Sequence, residues 1–373
     1  MNVQLHKIRS ISVLIFLTVL NLTFITCTSS SYSGSKKRPE IRNVILMIGD
    51  GMGLATMSSA MTVSDHPLNI TRCTTTGLQK TNSANKYITD SAAAGTALAT
   101  GNKTNNGVIG MDSTGVRVKS ILEIAEENGL ATGLVSTSSV THATPASFIA
   151  HQASRGSYED IAADFIKTDV DVFIGGGYDH FAKREDKLNL IDSLKARGYE
   201  VANNMNQVMV STSGKLAGLV APVHTPYRLK GRGDMLQQSS LKAIEILSKN
   251  KKGFFLMIEG SQIDWAGHAN AADTLVDETI DFDNAVGKVL DFAAADGHTL
   301  VIITADHETG GVTITGGDIK THKVQLNFAS GDHTPILIPV FAFGPGSEDF
   351  NGIYENTEIF QKIRNSFGFD LNK

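Results

Sequence analysis

Asp264 and His268 stand four residues apart in Asp264-Trp265-Ala266-Gly267-His268. On a helical turn that spacing puts a carboxylate and an imidazole on one face, where they can share an ion. Asp306-His307 offers two adjacent ligands that a turn could aim at one ion. His333 lies in a polar turn, Gly331-Asp332-His333-Thr334, ahead of an apolar segment. The chain has only two cysteines, Cys27 and Cys73, too few for a thiolate zinc site. Carboxylates and imidazoles without thiolate suit zinc with an open catalytic position. Oxygen donors such as Asp50, Thr144 and Glu259 suit magnesium with retained waters. Each residue alone has a plainer reading: an acid after a strand can cap the next helix, and His333 can be a solvated loop histidine. The remaining histidines, His6, His66, His151, His180, His224, His298 and His322, have no such context and read as structural or solvated.

A nucleophile is offered by the stretch Tyr87-Ile88-Thr89-Asp90-Ser91-Ala92-Ala93-Ala94-Gly95-Thr96-Ala97, a polar turn opening into small helix-compatible residues. A serine there would face free backbone N–H groups and the positive end of the helix dipole, a setting that stabilises a phosphoryl group. Asp90 or Ser91 as a simple N-cap is the plainer alternative. A serine needs a base or a metal to become reactive. No Gly-x-Ser-x-Gly elbow occurs, which disfavours an α/β-hydrolase triad and leaves metal activation.

These groups need a scaffold. Asn43–Gly49, Ala131–Ser136, Val172–Ile174, Phe254–Ile258, Thr299–Thr304 and Pro339–Phe343 are continuous apolar runs without polar alternation, the pattern of strands buried on both faces. Helical patterns lie between them at Lys119–Asn128, Pro145–Ser154, Lys187–Arg197, Ser240–Lys249, Ala272–Ala294 and Ile359–Ser366. The alternation predicts an α/β fold, a mostly parallel central sheet with helices on both faces. Ligands in such sheets sit at the carboxyl ends of strands. Asp50, Glu259 and Asp306-His307 each fall just after an apolar run, which points to a shared polyvalent metal site.

The 373 residues are 41% hydrophobic and 19% charged, an ordinary globular composition that excludes disorder and coiled coil. Net charge is −5 with no basic block, which argues against nucleic-acid binding. Lys7 and Arg9 precede an apolar run from Ile11 to about Thr26, so residues 1–26 read as a signal peptide. Cys27 follows directly, as in a lipoprotein signal, although Thr26 stands where a smaller residue is usual. Residues 27–40 read as a flexible tether, and 41–373 as one catalytic domain. The expected location is therefore exported, periplasmic or held to a membrane by a lipid on Cys27.

Taken together, the motifs resemble the alkaline phosphatase family. The pieces are Met47-Ile48-Gly49-Asp50-Gly51-Met52-Gly53, Thr89-Asp90-Ser91-Ala92-Ala93, Ala143-Thr144-Pro145-Ala146, Ser154-Arg155, Ile258-Glu259-Gly260, Ile263-Asp264 with His268, Thr304-Ala305-Asp306-His307, and Asp332-His333-Thr334. They occur in family order over roughly residues 43 to 343. The resemblance implies a phosphomonoesterase of broad specificity with Ser91 as the nucleophile that becomes phosphoserine. It implies Arg155 as the phosphate clamp, whose fork suits two phosphoryl oxygens. It implies one zinc on Asp264, His268 and His333, and a second on Asp50, Asp306 and His307, joined by Ser91. It implies a magnesium on Asp50, Thr144 and Glu259. Two zinc ions about 4 Å apart would clamp the attacking and leaving oxygens.

The sequence departs from the family pattern in three places. His142 stands where some members have Asp, and imidazole there could favour zinc in the third site. Trp265 follows Asp264 where some members have Lys, which removes a cation near the phosphate; a merely packing aromatic is the other reading. The interval between His307 and His333 is short, so the surface insertion that serves dimer contact in many members is trimmed and a homodimer is less assured. The competing readings are a phosphodiesterase or sulfatase of the same superfamily, a phosphoglycerate mutase, and a non-catalytic metal-binding lipoprotein. Asp90-Ser91-Ala92 with Arg155 argues against the first, as does the lack of a sulfatase Cys-x-Pro-x-Arg stretch.

Overall fold

The computed structural model describes residues 40–369. The expected signal segment and Cys27 lie outside the described residues. At the centre of the fold is the strand Asn43–Gly49, seven residues all buried. Val44, Leu46 and Ile48 join the apolar cluster on one face of the sheet, and Ile45 and Met47 the cluster on the other. A strand covered on both faces can afford no polar alternation, which explains the unbroken apolar run.

Ten strands form the main sheet. From one edge they run Gly352–Glu355, Thr75–Lys80, Ile338–Phe343, Thr299–Thr304 and Asn43–Gly49. They continue through Phe254–Gly260, Ala131–Ser139, Val172–Gly176, Leu216–Ala221 and Glu200–Ala202 to the other edge. Only Ile338–Phe343 runs antiparallel to its neighbours. The mostly parallel sheet expected from the alternation is therefore present. Each of the six apolar runs is a strand, while Thr75–Lys80 and the short edge strands are polar or partly exposed and carry no such signal.

The helix expected over 145–154 is not formed. Only Ala143–Ala146 is helical. Ser147 Oγ donates to the Ala143 carbonyl at 2.8 Å, and Ile109 and Gln152 then exchange backbone hydrogen bonds at 2.9 Å. A long-range bridge thus takes the backbone groups that a helix would use.

The short interval after His307 holds a hairpin, Val312–Asp318 paired with Lys323–Phe328. Among the described residues no helix is long and apolar enough to cross a membrane.

Candidate metal centre and nucleophile

Three adjacent central strands end at one point. Ile48 pairs with Glu259 on one side and with Thr304 on the other, so Asp50, Glu259 and Asp306 emerge side by side. All three are at most 1% exposed. The chain must turn sharply after Asp50, and Gly51 does so at φ +74°. A Cβ there would lie 2.7 Å from Thr309 Oγ1 and 2.8 Å from Asp264 Cα, so the turn has room only for glycine.

The helix Gln262–His268 carries Asp264 and His268 on one face, with His268 Nε2 3.4 Å from Asp264 Oδ1. His333 Nε2 lies 3.5 Å from the same oxygen. His268 Nδ1 faces the Gly331 carbonyl and His333 Nδ1 the Thr89 carbonyl, both at 2.8 Å. A carbonyl only accepts, so both Nδ1 atoms carry the proton and both Nε2 lone pairs turn inward. They meet at 3.1 Å. Two converging lone pairs repel unless a proton or a cation lies between them. Burial opposes a proton on His333, but Asp264 outweighs it and pushes His333 up to about 9. Burial likewise raises Asp264, and the three surrounding imidazoles more than reverse this, holding it well below the usual carboxylate range.

His307 is oriented the same way. Its Nδ1 is 3.2 Å from Thr309 Oγ1, whose own hydrogen goes to Asp264 Oδ1. Nε2 therefore presents a lone pair to Asp306 Oδ2 at 3.2 Å, Asp50 Oδ1 at 3.5 Å and Ser91 Oγ at 3.3 Å. Burial drives the Asp50 carboxyl far above its ordinary value, and Asp306, Asp264 and Glu259 add to it. Asp306 is also raised by burial, but His307 brings it below its ordinary value. Burial pushes Glu259 up to about 7, against the pull of hydroxyl groups such as Ser136, whose Oγ donates to Glu259 Oε2 at 2.6 Å.

These groups fit cations. Both carboxylate oxygens of Asp50, Asp306 Oδ2, Glu259 Oε1, Thr144 Oγ1 and His142 Nδ1 are buried with no hydrogen-bond partner among the described residues. The five oxygens among them are costly left unpaired in the interior and natural as ligands. Three donor sets result: Asp264 with His268 and His333, Asp50 with Asp306 and His307, and Asp50 with His142 and Glu259. The third brings His142 within reach of two of the expected oxygen donors. His142 lies beside Asp50 and Glu259, and burial, with help from Arg155 and His224, lowers it to about 3 and keeps the ring neutral, its Nε2 accepting from Arg155.

Ser91 opens the helix Ser91–Thr100 and is 1% exposed. Asp90 is the N-cap, its Oδ1 accepting from Ala93 N at 3.0 Å. Its other oxygen holds Arg155 Nη1 at 3.1 Å and Gly107 N at 3.0 Å. Asp90 therefore both caps the nucleophile's helix and aims the guanidinium, a double role that its cap pattern alone did not reveal. Arg155 Nη2 lies 3.4 Å from His142 Nε2. Sequence reasoning also missed Thr309 and Ser136, which contact Asp264 and Glu259 from distant segments. The Trp265 ring lies edge-on to His142 at 5.6 Å and to His224 at 4.7 Å, so Trp265 borders the clamp.

Residues 41–327 match the alkaline phosphatase family. Alkaline phosphatase 3 of Bacillus subtilis (strain 168) is 33% identical, with 98% of each chain covered. The structure of alkaline phosphatase from the Antarctic bacterium TAB5 superimposes with a TM-score of 0.85 at 44% identity, covering 89% of this chain and 99% of that one. A His-to-Asp mutant of the TAB5 enzyme with Mg bound in the M3 site gives the same TM-score at 43% identity, covering 90% and 100%. The carboxylate and imidazole cluster beside a helix-initial serine, on this sheet and with these relatives, means that the chain belongs to the alkaline phosphatase family of metal-dependent phosphomonoesterases.

Proposed function

We propose that the protein is an exported phosphomonoesterase that releases phosphate from a broad range of monoesters through a phosphoserine on Ser91. Two zinc ions and a third divalent cation would serve it. The observation that carries this reading is Ser91 Oγ, 3.3 Å from the inward lone pair of His307 inside a cluster of unpartnered buried ligands. Asp264, His268 and His333 would hold one zinc, and Asp50, Asp306 and His307 the other. Bound there, zinc supplies Lewis acidity that lowers the pKa of a neighbouring hydroxyl or water and offsets charge on phosphoryl oxygens. Ser91 Oγ attacks phosphorus as the ester oxygen leaves, and water later displaces Ser91 in line from the opposite side. Arg155, aimed by Asp90, pairs two equatorial phosphoryl oxygens, and the N-terminal N–H groups of the Ser91 helix add to the field. Little is asked of the leaving group, which supports broad specificity. Export rests on the basic and apolar pattern of residues 1–26.

Phosphate release by the metal-loaded enzyme from an aryl monoester and its matched diester tests the reading. The monoester should react at least about a hundredfold faster. A diester preference would move the protein to the diesterase branch of the superfamily.

Asp50, Thr144 and Glu259 with His142 form a mixed third site. An imidazole donor shifts preference away from magnesium towards zinc. The TAB5 His-to-Asp mutant holds Mg in its M3 site, so a family member can carry this exchange. We expect His142→Asp, dialysed against equal zinc and magnesium, to retain more magnesium per chain than wild type. Identical metal contents would remove His142 from the third site.

A further inference from the structure

Three rings meet beside Arg155, and a stacked pair lies apart from them. His142 touches His224 edge-on at 5.7 Å, and Trp265 touches both. His180 Nδ1 accepts or donates with Thr141 Oγ1 at 2.7 Å, and Tyr158 stacks on His180 at 4.9 Å with the planes 5° apart. In such edge-to-face contacts the three rings fix one another's orientation.

The loop that carries His224 is tied down at both ends. Gln262 Nε2 donates to the Thr137 carbonyl at 2.9 Å and the Thr225 carbonyl at 2.7 Å. Arg228 N donates to Glu278 Oε1 at 2.7 Å, and the buried Arg232 pairs with both Glu278 and Asp281. Ser139 N–H donates to His224 Nδ1 at 3.1 Å, so the ring's proton sits on Nε2. Neither that Nε2–H nor the indole N–H of Trp265 has a hydrogen-bond partner among the described residues, and neither is a buried orphan. Both residues are half-buried. A packing role would bury the indole and cap its N–H. Here the loop is held by hydrogen bonds from distant segments while both ring donors are left without a protein partner among the described residues.

From this we propose that Trp265 and His224 form a subsite for a planar heteroaromatic leaving group, which makes nucleoside 5′-monophosphates preferred among the monoesters. The inference rests on the phosphomonoesterase reading and deepens it. The phosphate of such a substrate would lie against Arg155. The base would stack on the indole and offer ring nitrogen or carbonyl acceptors to the two N–H donors. An aliphatic or sugar monoester has the phosphate but nothing to stack.

Adenosine 5′-monophosphate and ribose 5-phosphate share the same leaving alcohol and differ by the base alone, so their comparison isolates the subsite. Stacking of a base on an aromatic side chain predicts a kcat/KM ratio of about tenfold or more in favour of the nucleotide. The ratio should fall towards one in Trp265→Ala, fall less in His224→Ala, and be largely kept in Trp265→Phe. Trp265 is the only tryptophan in the 373 residues, so its fluorescence reads the same contact in wild type directly. Adenosine with inorganic phosphate should quench it, and ribose with phosphate should not. A wild-type ratio within twofold of one, an unchanged ratio in Trp265→Ala, or equal quenching by adenosine and ribose would overturn the subsite. If neither ester is hydrolysed, the phosphatase reading fails, and adenosine quenching still decides the subsite by itself.

Discussion

Ser91→Ala should lower the rate of phosphate release by at least about a thousandfold, with little change in thermal stability. The substitution removes one oxygen from a position 1% exposed and 3.3 Å from His307 Nε2. It leaves the helix intact, because Asp90 supplies the cap and alanine is the best helix former. The clamp is also retained, since Arg155 is held by Asp90 and not by Ser91. No neighbouring hydroxyl stands ready to substitute. Thr89 Oγ1 donates to the Asp90 carbonyl at 3.1 Å, and Thr144 stands against Glu259. What survives must be direct attack by water, helped by the same electrostatic field but without the aligned oxygen. Acid quenching of wild type during turnover should leave phosphate on Ser91, and the alanine variant should carry none. A variant within tenfold of wild type in rate, with no phosphoserine in either, would mean that water attacks the ester directly.

The site was legible where the chemistry and the local pattern coincide. A parallel strand buried on both faces must be apolar until it reaches the sheet's edge, so the first charged residue after it marks the edge where ligands bind. Asp50, Glu259 and Asp306 are marked in this way, and Asp264 with His268 by helical spacing. Other parts required contacts that no local pattern encodes. The direction of Ile338–Phe343 depends on where the chain returns, and the Ile109–Gln152 bridge ends a helix that the 145–154 pattern favoured. Arg155 carries no signal of its own in the residues around it; its place follows from Asp90, 65 positions earlier. His224 read only as structural or solvated because its partners, Ser139 and Trp265, come from elsewhere in the chain. The place of His142 was hidden for a related reason: two residues from Thr144 it looks peripheral, and only the fold brings it beside Asp50 and Glu259.

Chelation should abolish activity and also destabilise the protein, increasingly so as pH rises. Removing the cations leaves Asp50, Glu259, Asp264 and Asp306 buried together, a repulsion that protons must relieve. Asp50 and Glu259 have folded values raised by burial, Glu259 to about 7. Their contribution to stability is complete below their ordinary values and is lost as pH rises through the folded ones. His333 has the same sign, because its value is raised to about 9: its contribution is lost on the way up to that pH. Asp264 and Asp306 have depressed values, so theirs is lost only in strong acid, below this window. From about pH 5 to pH 9 Asp50, Glu259 and His333 therefore weaken the chelated protein as pH rises, while His142, lowered to about 3, opposes them only up to the ordinary histidine value. The loaded protein behaves oppositely over the same range, since cations displace those protons and bind more tightly as they leave. At pH 8 the Tm of the loaded enzyme should exceed that of the chelated one by about 5–10 °C, a gap of the size expected for ligand near a thousand times its Kd. At pH 5 the gap should be markedly smaller. Differential scanning calorimetry of the two forms across this range measures it. A gap that stays constant or narrows with pH would show that these carboxylates and imidazoles are not the groups that hold the cations.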